Sequence, residues 1–391
     1  MNEITLNLVN AYTLQKQHLT EDAKIGDIIQ IVRDIGGLHA TGSTTPYLSL
    51  FARTNHFTRT ELEEELYQKK NLAKIRFVRK TMYILPKELL GVAYAAMKSI
   101  IELASERFSE YMEINQQQYL TMSKSILNLL DQGGMSTKEI KKALDTSLNI
   151  SPIVNLMCDQ GLLIRGKPKS GWKSNIHIYY LFRDYFPSLN LKALDADDAR
   201  ALLVLQYLTS FGPVTENDIA WWTGFPKRDI SKVLDSLQDT IQYIRISGIE
   251  GDYLILSPEE HALKSIKPLD TKEVSLLPGL DPYMMGYKNR ERYLSPKNYE
   301  YISDRGGNAT SSLLINGEVA GVWDFVQTPK PLVKFFLFEE CEDLLFQKIS
   351  LKARSLGRFI TDKDVEIQKY DSMIPLTQRT AGSQMSPLKD L

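Results

Sequence analysis

The spacing of apolar residues changes from a helical to an alternating pattern in the middle of the chain. Residues 119–134 (YLTMSKSILNLLDQGG) place apolar side chains at helical intervals and end at two glycines, which predicts a helix. Ser136 and Glu139 have capping-box spacing, so a second helix is predicted to begin there. A third short helix at 152–159 is followed by two β-type segments, 162–175 and 176–182. Three helices and then a β-hairpin are the order of a winged-helix unit.

The same order is predicted in two other parts of the chain. From Asp197, three helical segments (197–212, 213–225 and 226–239) precede two strands around Gly248 and Gly251. In the N-terminal region, helical segments at 21–37, 47–57 and 59–71 precede an alternating segment, 72–86, and a helical link over 87–115. We interpret this as an internal repeat of architecture, not of sequence identity.

After residue 266 the pattern is mostly that of β-strands. Residues 311–326 contain INGEVAG, a strong hairpin signal, and residues 343–360 predict an amphipathic helix. We therefore expect an α+β fold: tandem winged-helix (helix-turn-helix) domains followed by a mostly β C-terminal domain. The predicted ranges are 1–115 for a first winged-helix-like module with its linking helix, 116–190 and 191–265 for two more, 266–376 for the β domain and 377–391 for a disordered tail.

Composition excludes several classes of protein. Of the 391 residues, 43% are hydrophobic and 24% charged, and no apolar run approaches the roughly 18 residues of a membrane span. The first residues do not resemble an export signal. Cys158 and Cys341 are far apart and lack metal-ligand spacing. We expect a monomer in the cytoplasm, with no metal, no cofactor and no membrane contact.

Basic residues are clustered although the net charge is only -1. One acid-free run crosses 68–80 and a second crosses 162–183, while acidic residues gather elsewhere. Each run alone could be a solvated helix face, but two such runs on separate modules favour a shared surface for a polyanion. The predicted DNA-binding residues are Lys69, Lys70, Lys74, Arg76, Arg79, Lys80, Arg165, Lys167, Lys169 and Lys173.

Five segments together resemble the bacterial winged-helix DNA glycosylases of the AlkZ and YcaQ type. They are GGLHATGSTTPYLSLFAR, LAKIRFVRKTMYILP, FGPVTENDIAWWTGF, LLPGLDPYMMGYKNRERYL and LLINGEVAGVWDF, in family order between residues 36 and 325. The resemblance implies tandem winged helices lining a concave DNA-sized surface and excision of bulky or cross-linked N7-alkylated purines. It also implies a catalytic Gln-x-Gln or Gln-x-Asp pair. GLHAT aligns with the family segment that carries this pair, so that His39 stands at the first catalytic position and Thr41 at the second.

The substituted pair is chemically plausible. An N7-alkylguanine leaving group is already cationic, so the protein has to position water and stabilise positive charge that develops on the sugar. If the segment is extended, His39 and Thr41 point the same way. His39 can hold water or act as a weak base, and the Thr41 hydroxyl can both accept and donate. The alternatives are a structural, hydrogen-bonded His39 and a Thr41 that caps the helix beginning near Pro46.

Other residues in these segments have structural interpretations. Lys80 stands where the family segment Arg-Gly-Thr has its glycine, which favours a phosphate contact. Trp221 and Trp222 are predicted to pack in the core or between helices, with stacking on DNA as the alternative. Asp281 is predicted to form a structural ion pair with Arg290.

Other enzyme classes have little support. The sequence contains no Walker-A loop, GxSxG, HExxH or ligand-spaced Cys and His cluster. The competing hypothesis is a non-catalytic winged-helix DNA-binding protein, either a lesion sensor or a transcriptional regulator.

Overall fold

The computed structural model describes residues 4–327 and 329–378, and the predicted tail falls almost entirely outside them. The first group of elements places a short edge strand between its helices. The helices are α1 Leu6–Lys16, α2 Ile28–Asp34, α3 Thr45–Arg53 and α4 Arg59–Glu63, and the strands are β1 Leu38–His39, β2 Leu72–Arg76 and β3 Met82–Pro86. The antiparallel sheet has the order β1-β3-β2. A 22-residue helix, α5 Leu90–Tyr111, then leads to the second group.

The second group begins with the capping box predicted from the sequence. Ser136 Oγ accepts from the Glu139 N–H at 3.4 Å, and the Ser136 N–H donates to Glu139 Oε2 at 2.8 Å. The elements are α6 Gln116–Leu130, α7 Thr137–Ala143, α8 Ser151–Asp159, β4 Leu163–Pro168, β5 His177–Leu181 and the short α9 Phe182–Tyr185. Met135, ahead of α7, forms a β-bridge with Tyr179 of β5.

The third group repeats this order. Its elements are α10 Ala196–Phe211, α11 Glu216–Thr223, α12 Lys227–Ser236, β6 Ile241–Ile244, β7 Tyr253–Leu256 and α13 Glu259–Ser265. Val214, ahead of α11, bridges to Leu254 of β7. In all three groups, therefore, a segment between two helices (after α2, α6 and α10) pairs antiparallel with the last strand of the hairpin.

The C-terminal part contains a five-stranded sheet of order β12-β11-β10-β9-β8. The elements are β8 Val274–Leu277, α14 Pro282–Met285, α15 Tyr299–Ile302, β9 Ser312–Ile315, β10 Glu318–Val326, β11 Leu332–Leu337, α16 Asp343–Thr361 and β12 Glu366–Tyr370. The predicted hairpin turns at Asn316 and Gly317, which both have positive φ as a tight two-residue turn requires. The predicted amphipathic helix is α16, so both predictions are confirmed.

Aromatic side chains join the third group to the C-terminal part. The Trp222 ring is 1% exposed and lies 4.8 Å from the Tyr207 ring, and the Tyr207 hydroxyl donates to the Gly286 carbonyl. Phe77 of the first group meets Trp222 edge-on at 5.8 Å. The predicted interior position is confirmed for Trp222.

The ion pair predicted between Asp281 and Arg290 is wrong. Asp281 is fully buried and pairs with Arg53 of α3, with an Arg53 Nη2 to Asp281 Oδ1 distance of 2.7 Å. Arg290 donates instead to Ser303 Oγ and to the Gly307 carbonyl. The partner of Asp281 is 228 residues away along the chain, so local sequence could not reveal it.

Candidate functional site

The His39 and Thr41 segment lies at one end of the sheet β1-β3-β2. Helix α2 stops at Gly36 and Gly37, which have φ values of +71° and +98°. A Cβ on Gly37 would stand 2.5 Å from Leu85 Cδ2, so both backbone conformation and space require glycine there. The chain then passes directly into β1, where His39 pairs with Tyr83 of β3.

His39 is buried, with only 2% of its surface exposed. Its ring lies 5.0 Å from the Tyr83 ring. The Thr41 N–H points at His39 Nδ1 over a long 3.5 Å, which assigns the proton of the neutral imidazole to Nε2. Burial, and then the charges of Arg79 and Lys74, lower the pKa of His39 to about 3. The imidazole is therefore neutral at physiological pH.

Thr41 differs from His39 in its environment. Strand β1 ends at His39, so the alternation expected of an extended segment does not continue, and Thr41 is exposed while His39 is buried. Thr41 Oγ1 accepts from the Met82 N–H at 3.4 Å. The helix-cap alternative is not what the structure has, because the residue ahead of α3 is Thr44. Thr41 thus presents a hydroxyl at the surface, directly beside a buried neutral histidine.

The loop between β2 and β3 contributes two positive charges to this end of the sheet. Arg79 and Lys80 have φ values of +53° and +58°. Lys80, in the place of the family glycine, therefore adopts a conformation that favours glycine. The Arg79 guanidinium lies 4.0 Å from the Trp221 ring centroid, and its Nη2 donates to the Gly306 carbonyl at 2.9 Å. Arg79 thus ties the loop to α11 and to the C-terminal part, while Lys80 is exposed.

Two of the predicted DNA-binding residues are buried where β2 meets the β4–β5 hairpin. Lys74 is 8% exposed and its Nζ lies 3.4 Å from His177 Nε2. Burial, and then the charge of Arg165, lower the pKa of Lys74 to about 8. Arg165 is 7% exposed and donates to Asn155 Oδ1. Neither Lys74 nor Arg165 reaches the surface that a DNA phosphate would touch.

The other predicted DNA-binding residues lie nearer the surface, and most contact the protein itself. Carboxylates pair with four of them: Lys69 with Glu65 at 2.7 Å, Arg76 with Asp159 at 2.9 Å, Lys167 with Glu63 at 2.8 Å and Lys169 with Glu139 at 2.5 Å. The Lys70 and Lys173 ammoniums lie over the rings of Tyr185 and Trp172. Lys69, Lys167, Lys169 and Lys173 are exposed, so their ammoniums can exchange partners with a phosphate.

The tip of the β4–β5 hairpin rests beside the candidate site. Ser43 Oγ donates to the Lys173 carbonyl at 3.0 Å, two residues beyond Thr41. Trp172 meets Tyr47 edge-on at 5.1 Å and Phe359 of α16 at 6.2 Å. The basic hairpin, the loop after Thr41 and α16 therefore meet at one place.

Sequence reasoning missed His177, Tyr83 and Trp221 as neighbours of the predicted residues. The signal for Tyr83 was its place in an alternating strand, but β1 was not predicted, so its pairing with His39 could not be. Within residues 4–327 and 329–378, no three His, Cys, Asp or Glu side chains are grouped to hold a metal ion. None of the helices in these described residues has the length and hydropathy of a membrane-spanning segment.

Comparison with known proteins gives one family and one fold. The model of the family described as DNA glycosylase AlkZ-like matches residues 32–332. Among solved structures, the Streptomyces sahachiroi DNA glycosylase AlkZ is similar, with a TM-score of 0.77 and 18% identity over 94% of this chain and 100% of that chain. No curated protein matches.

Proposed function

Since the chain belongs to the AlkZ-like DNA glycosylase family, we propose that it hydrolyses the N-glycosidic bond of bulky N7-alkylated or cross-linked purines in double-stranded DNA. The role would be DNA repair or genotoxin resistance, in a cytoplasmic, nucleoid-associated monomer that needs no cofactor. The observation that carries the proposal is the neutral His39 beside the exposed Thr41, at the position of the family's catalytic pair.

A neutral imidazole suits this chemistry. The departing N7-alkylpurine is already cationic, so the reaction needs an oriented water and an environment that tolerates positive charge on the sugar. With a pKa of about 3, His39 carries no charge of its own and can replace an uncharged glutamine. Its role is then to position groups by hydrogen bonding, not to exchange protons as a base near neutral pH.

We assign different tasks to the two residues because their exposure differs. The Thr41 hydroxyl is at the surface and is the group that contacts the attacking water. His39 lies behind it and supports the Thr41 backbone through the contact between the Thr41 N–H and Nδ1. In this arrangement Thr41 is the catalytic residue, because its hydroxyl contacts the attacking water. His39 is a positioning residue, unless its Nε2–H also donates to that water.

For DNA binding, we propose that the three similar groups of elements are winged-helix modules, over 1–115, 116–190 and 191–265. The phosphate contacts that we propose are the exposed cations Lys69, Lys80, Lys167, Lys169 and Lys173. Lys74 and Arg165 are buried, so they are not among the proposed phosphate contacts. Because phosphate contacts release bound counterions, affinity should fall steeply with salt.

A non-catalytic DNA-binding protein is the second candidate. The observation that favours it is the burial of His39, which is 2% exposed and packed on Tyr83. A histidine in such a place stabilises the fold whether or not chemistry occurs nearby, and Thr41 already accepts a backbone N–H.

Base release decides between the two. The purified full-length chain is incubated with duplexes that carry N7-methylguanine or a nitrogen-mustard cross-link, and is then heated in alkali to break abasic sites. We expect strand breaks with the wild type, and a loss of about 10² in rate for His39→Ala and for Thr41→Ala. His261→Ala, a change of an exposed histidine on α13, is the matched control. Tight duplex binding with no base release from either lesion would establish the non-catalytic alternative.

A further inference from the structure

A second site is suggested by a cavity that the proposed chemistry does not use. It has a volume of about 220 Å³ and lies between the C-terminal end of α3, the edge strand β8 and helix α16. Neither His39 nor Thr41 lines it. The space is far larger than a single water molecule requires, so it can admit a small organic or inorganic group.

Three charged side chains meet at this cavity and do not balance. Glu21 Oε1 accepts from Lys24 Nζ at 3.0 Å and also from Lys352 Nζ. Two ammoniums therefore share one carboxylate oxygen, and the group carries one excess positive charge. Lys352 comes from α16, 331 residues along the chain from Glu21, so the tertiary fold brings the second cation to the pair.

Burial and the repulsion between the two ammoniums both destabilise the excess positive charge. The Lys24 side chain is only 10% exposed, and burial together with the charge of Lys352 lowers its pKa. Burial opposes ionisation of Glu21 as well, but hydrogen bonds from Lys352 and Lys24 outweigh it and lower the pKa of Glu21 to about 2. Glu21 therefore stays ionised, and its single negative charge offsets only one of the two ammoniums. A bound anion can offset the other.

The remaining walls suit a ligand with both an anionic and an apolar part. Asn55, Ser275 and Ser355 supply polar groups, and Phe51 and Phe57 supply aromatic surface. Each ammonium has three donors, of which the shared Glu21 oxygen uses one. Phosphate oxygens are suitable acceptors for the donors that remain.

We propose that this cavity binds a phosphate-bearing anion, with Lys24 and Lys352 as its cationic contacts. The chemistry is the same whether the phosphate belongs to a DNA backbone or to a free nucleotide. The proposal does not depend on glycosylase activity, because its readout is binding.

Calorimetric titration of the full-length protein with inorganic phosphate and with adenosine 5′-monophosphate tests the site. We expect Lys24→Met and Lys352→Met each to weaken binding by at least about tenfold, the loss of a charge-assisted hydrogen bond. Lys348→Met on the same helix is the control, because Lys348 donates to the Lys272 carbonyl and does not line the cavity. Lys352→Arg, which keeps the charge, should retain binding.

Glu21→Gln should strengthen phosphate binding, whereas the lysine variants should weaken it. Misfolding of a variant cannot explain an increase in affinity. Glu21→Gln removes the shared carboxylate, so both lysines become available and phosphate should bind several-fold more tightly. Fluorescence anisotropy with a labelled duplex then identifies the source. If Lys24→Met and Lys352→Met also weaken DNA binding, the ligand is a backbone phosphate, and if DNA binding is unchanged it is a free phosphate ester. The proposal is overturned if neither probe binds the wild type, or if binding is equal in the wild type, Lys352→Met and Glu21→Gln.

Discussion

His39 and His177 are both buried and neutral, yet they belong to two different kinds of place. His39 ends an edge strand, next to the exposed Thr41 and to the loop that carries Arg79 and Lys80. His177 lies inside the contact between β2 and the β4–β5 hairpin, where Nδ1 faces the Gly166 carbonyl at 3.1 Å and Nε2 faces the Lys74 ammonium. Burial and a lowered pKa are common to both, so these properties do not identify a catalytic histidine. The role proposed for His39 therefore rests on its position beside the exposed Thr41 at the end of the sheet.

The largest expected effect is on the stability of the fold in acid. The two histidines should lower it equally down to about pH 4, and only His39 should lower it further below that pH. Burial lowers the pKa from 6.5 to about 3 for His39 and to about 4 for His177, while the unfolded chain takes up its protons near 6.5. Stability is therefore lost as pH falls through this range. At about 1.4 kcal/mol per pKa unit, each histidine contributes a loss of about 3 kcal/mol by pH 4, and His39 about 5 kcal/mol by pH 3.

Urea midpoints between pH 7 and pH 3 measure this difference. His39→Gln and His177→Gln should each flatten the wild-type curve between pH 6.5 and 4, and only His39→Gln should flatten it further below pH 4. Equal curves for the wild type and both variants would mean that neither histidine is held neutral.

Activity should separate the two histidines more sharply. His39→Gln restores the residue type of the family and keeps an uncharged hydrogen-bonding group, so base release should stay within about tenfold of the wild type, whereas His39→Ala loses about 10². His177→Gln should leave the rate within about threefold. The rate should also show no inflection near pH 6.5, because His39 does not titrate there.

The measurement is single-turnover base release between pH 5.5 and 8.5 for the wild type and the three variants. An inflection near pH 6.5 that disappears in His39→Gln would contradict the neutral assignment. A 10²-fold lower rate of base release in His177→Gln, with normal duplex binding, would indicate that the active site lies where β2 contacts the β4–β5 hairpin.

Local sequence was sufficient for elements whose signals are local. The Ser136 capping box, the turn at Asn316 and Gly317, and the stripe of α16 depend on residues a few positions apart, and all three were predicted. The site was predicted from the family segment GLHAT, and the structure adds that β1 stops at His39, so the two side chains differ in exposure.

The basic runs were harder to interpret because their burial is decided at long range. Lys74 was grouped with its exposed neighbours, since nothing in 68–80 shows that a hairpin 103 residues away covers β2. The same holds for Arg165, whose strand contacts β2 only in the folded chain. A run of lysines therefore predicts charge, while tertiary contacts decide which ammoniums remain accessible.

The next effect concerns Lys74, the partner of His177. Burial lowers its pKa from 10.5 to about 8, so below pH 8 the folded state holds a buried charge at a cost. Between pH 8 and 10.5 the unfolded chain keeps the proton that the folded state has released, so stability rises with pH. The wild type should gain about 2 kcal/mol relative to Lys74→Met between pH 7 and 9.5. Chemical denaturation at pH 7, 8.5 and 9.5 measures it, and a difference that does not change with pH would contradict the lowered pKa.

The smallest expected effect is on the free energy of unfolding, and it concerns the strained β2–β3 loop next to His39. Lys80 has a φ of +58°, which costs about 1 kcal/mol or more for any residue with a Cβ, although glycine recovers only part of this because it is more flexible when unfolded. Lys80→Gly should therefore raise the free energy of unfolding by about 0.5–1 kcal/mol, while Lys80→Ala, which keeps the strain and removes only the charge, should not.

Both variants remove the same phosphate contact, so both should weaken duplex binding by a similar few-fold factor and reduce its salt dependence by about one counterion. Urea titration together with anisotropy at several salt concentrations separates the two effects. If Lys80→Ala stabilises as much as Lys80→Gly, the gain comes from relief of charge repulsion with Arg79 and not from the backbone. The strain would then play no part in holding this loop beside Thr41, where the Met82 N–H donates to Thr41 Oγ1.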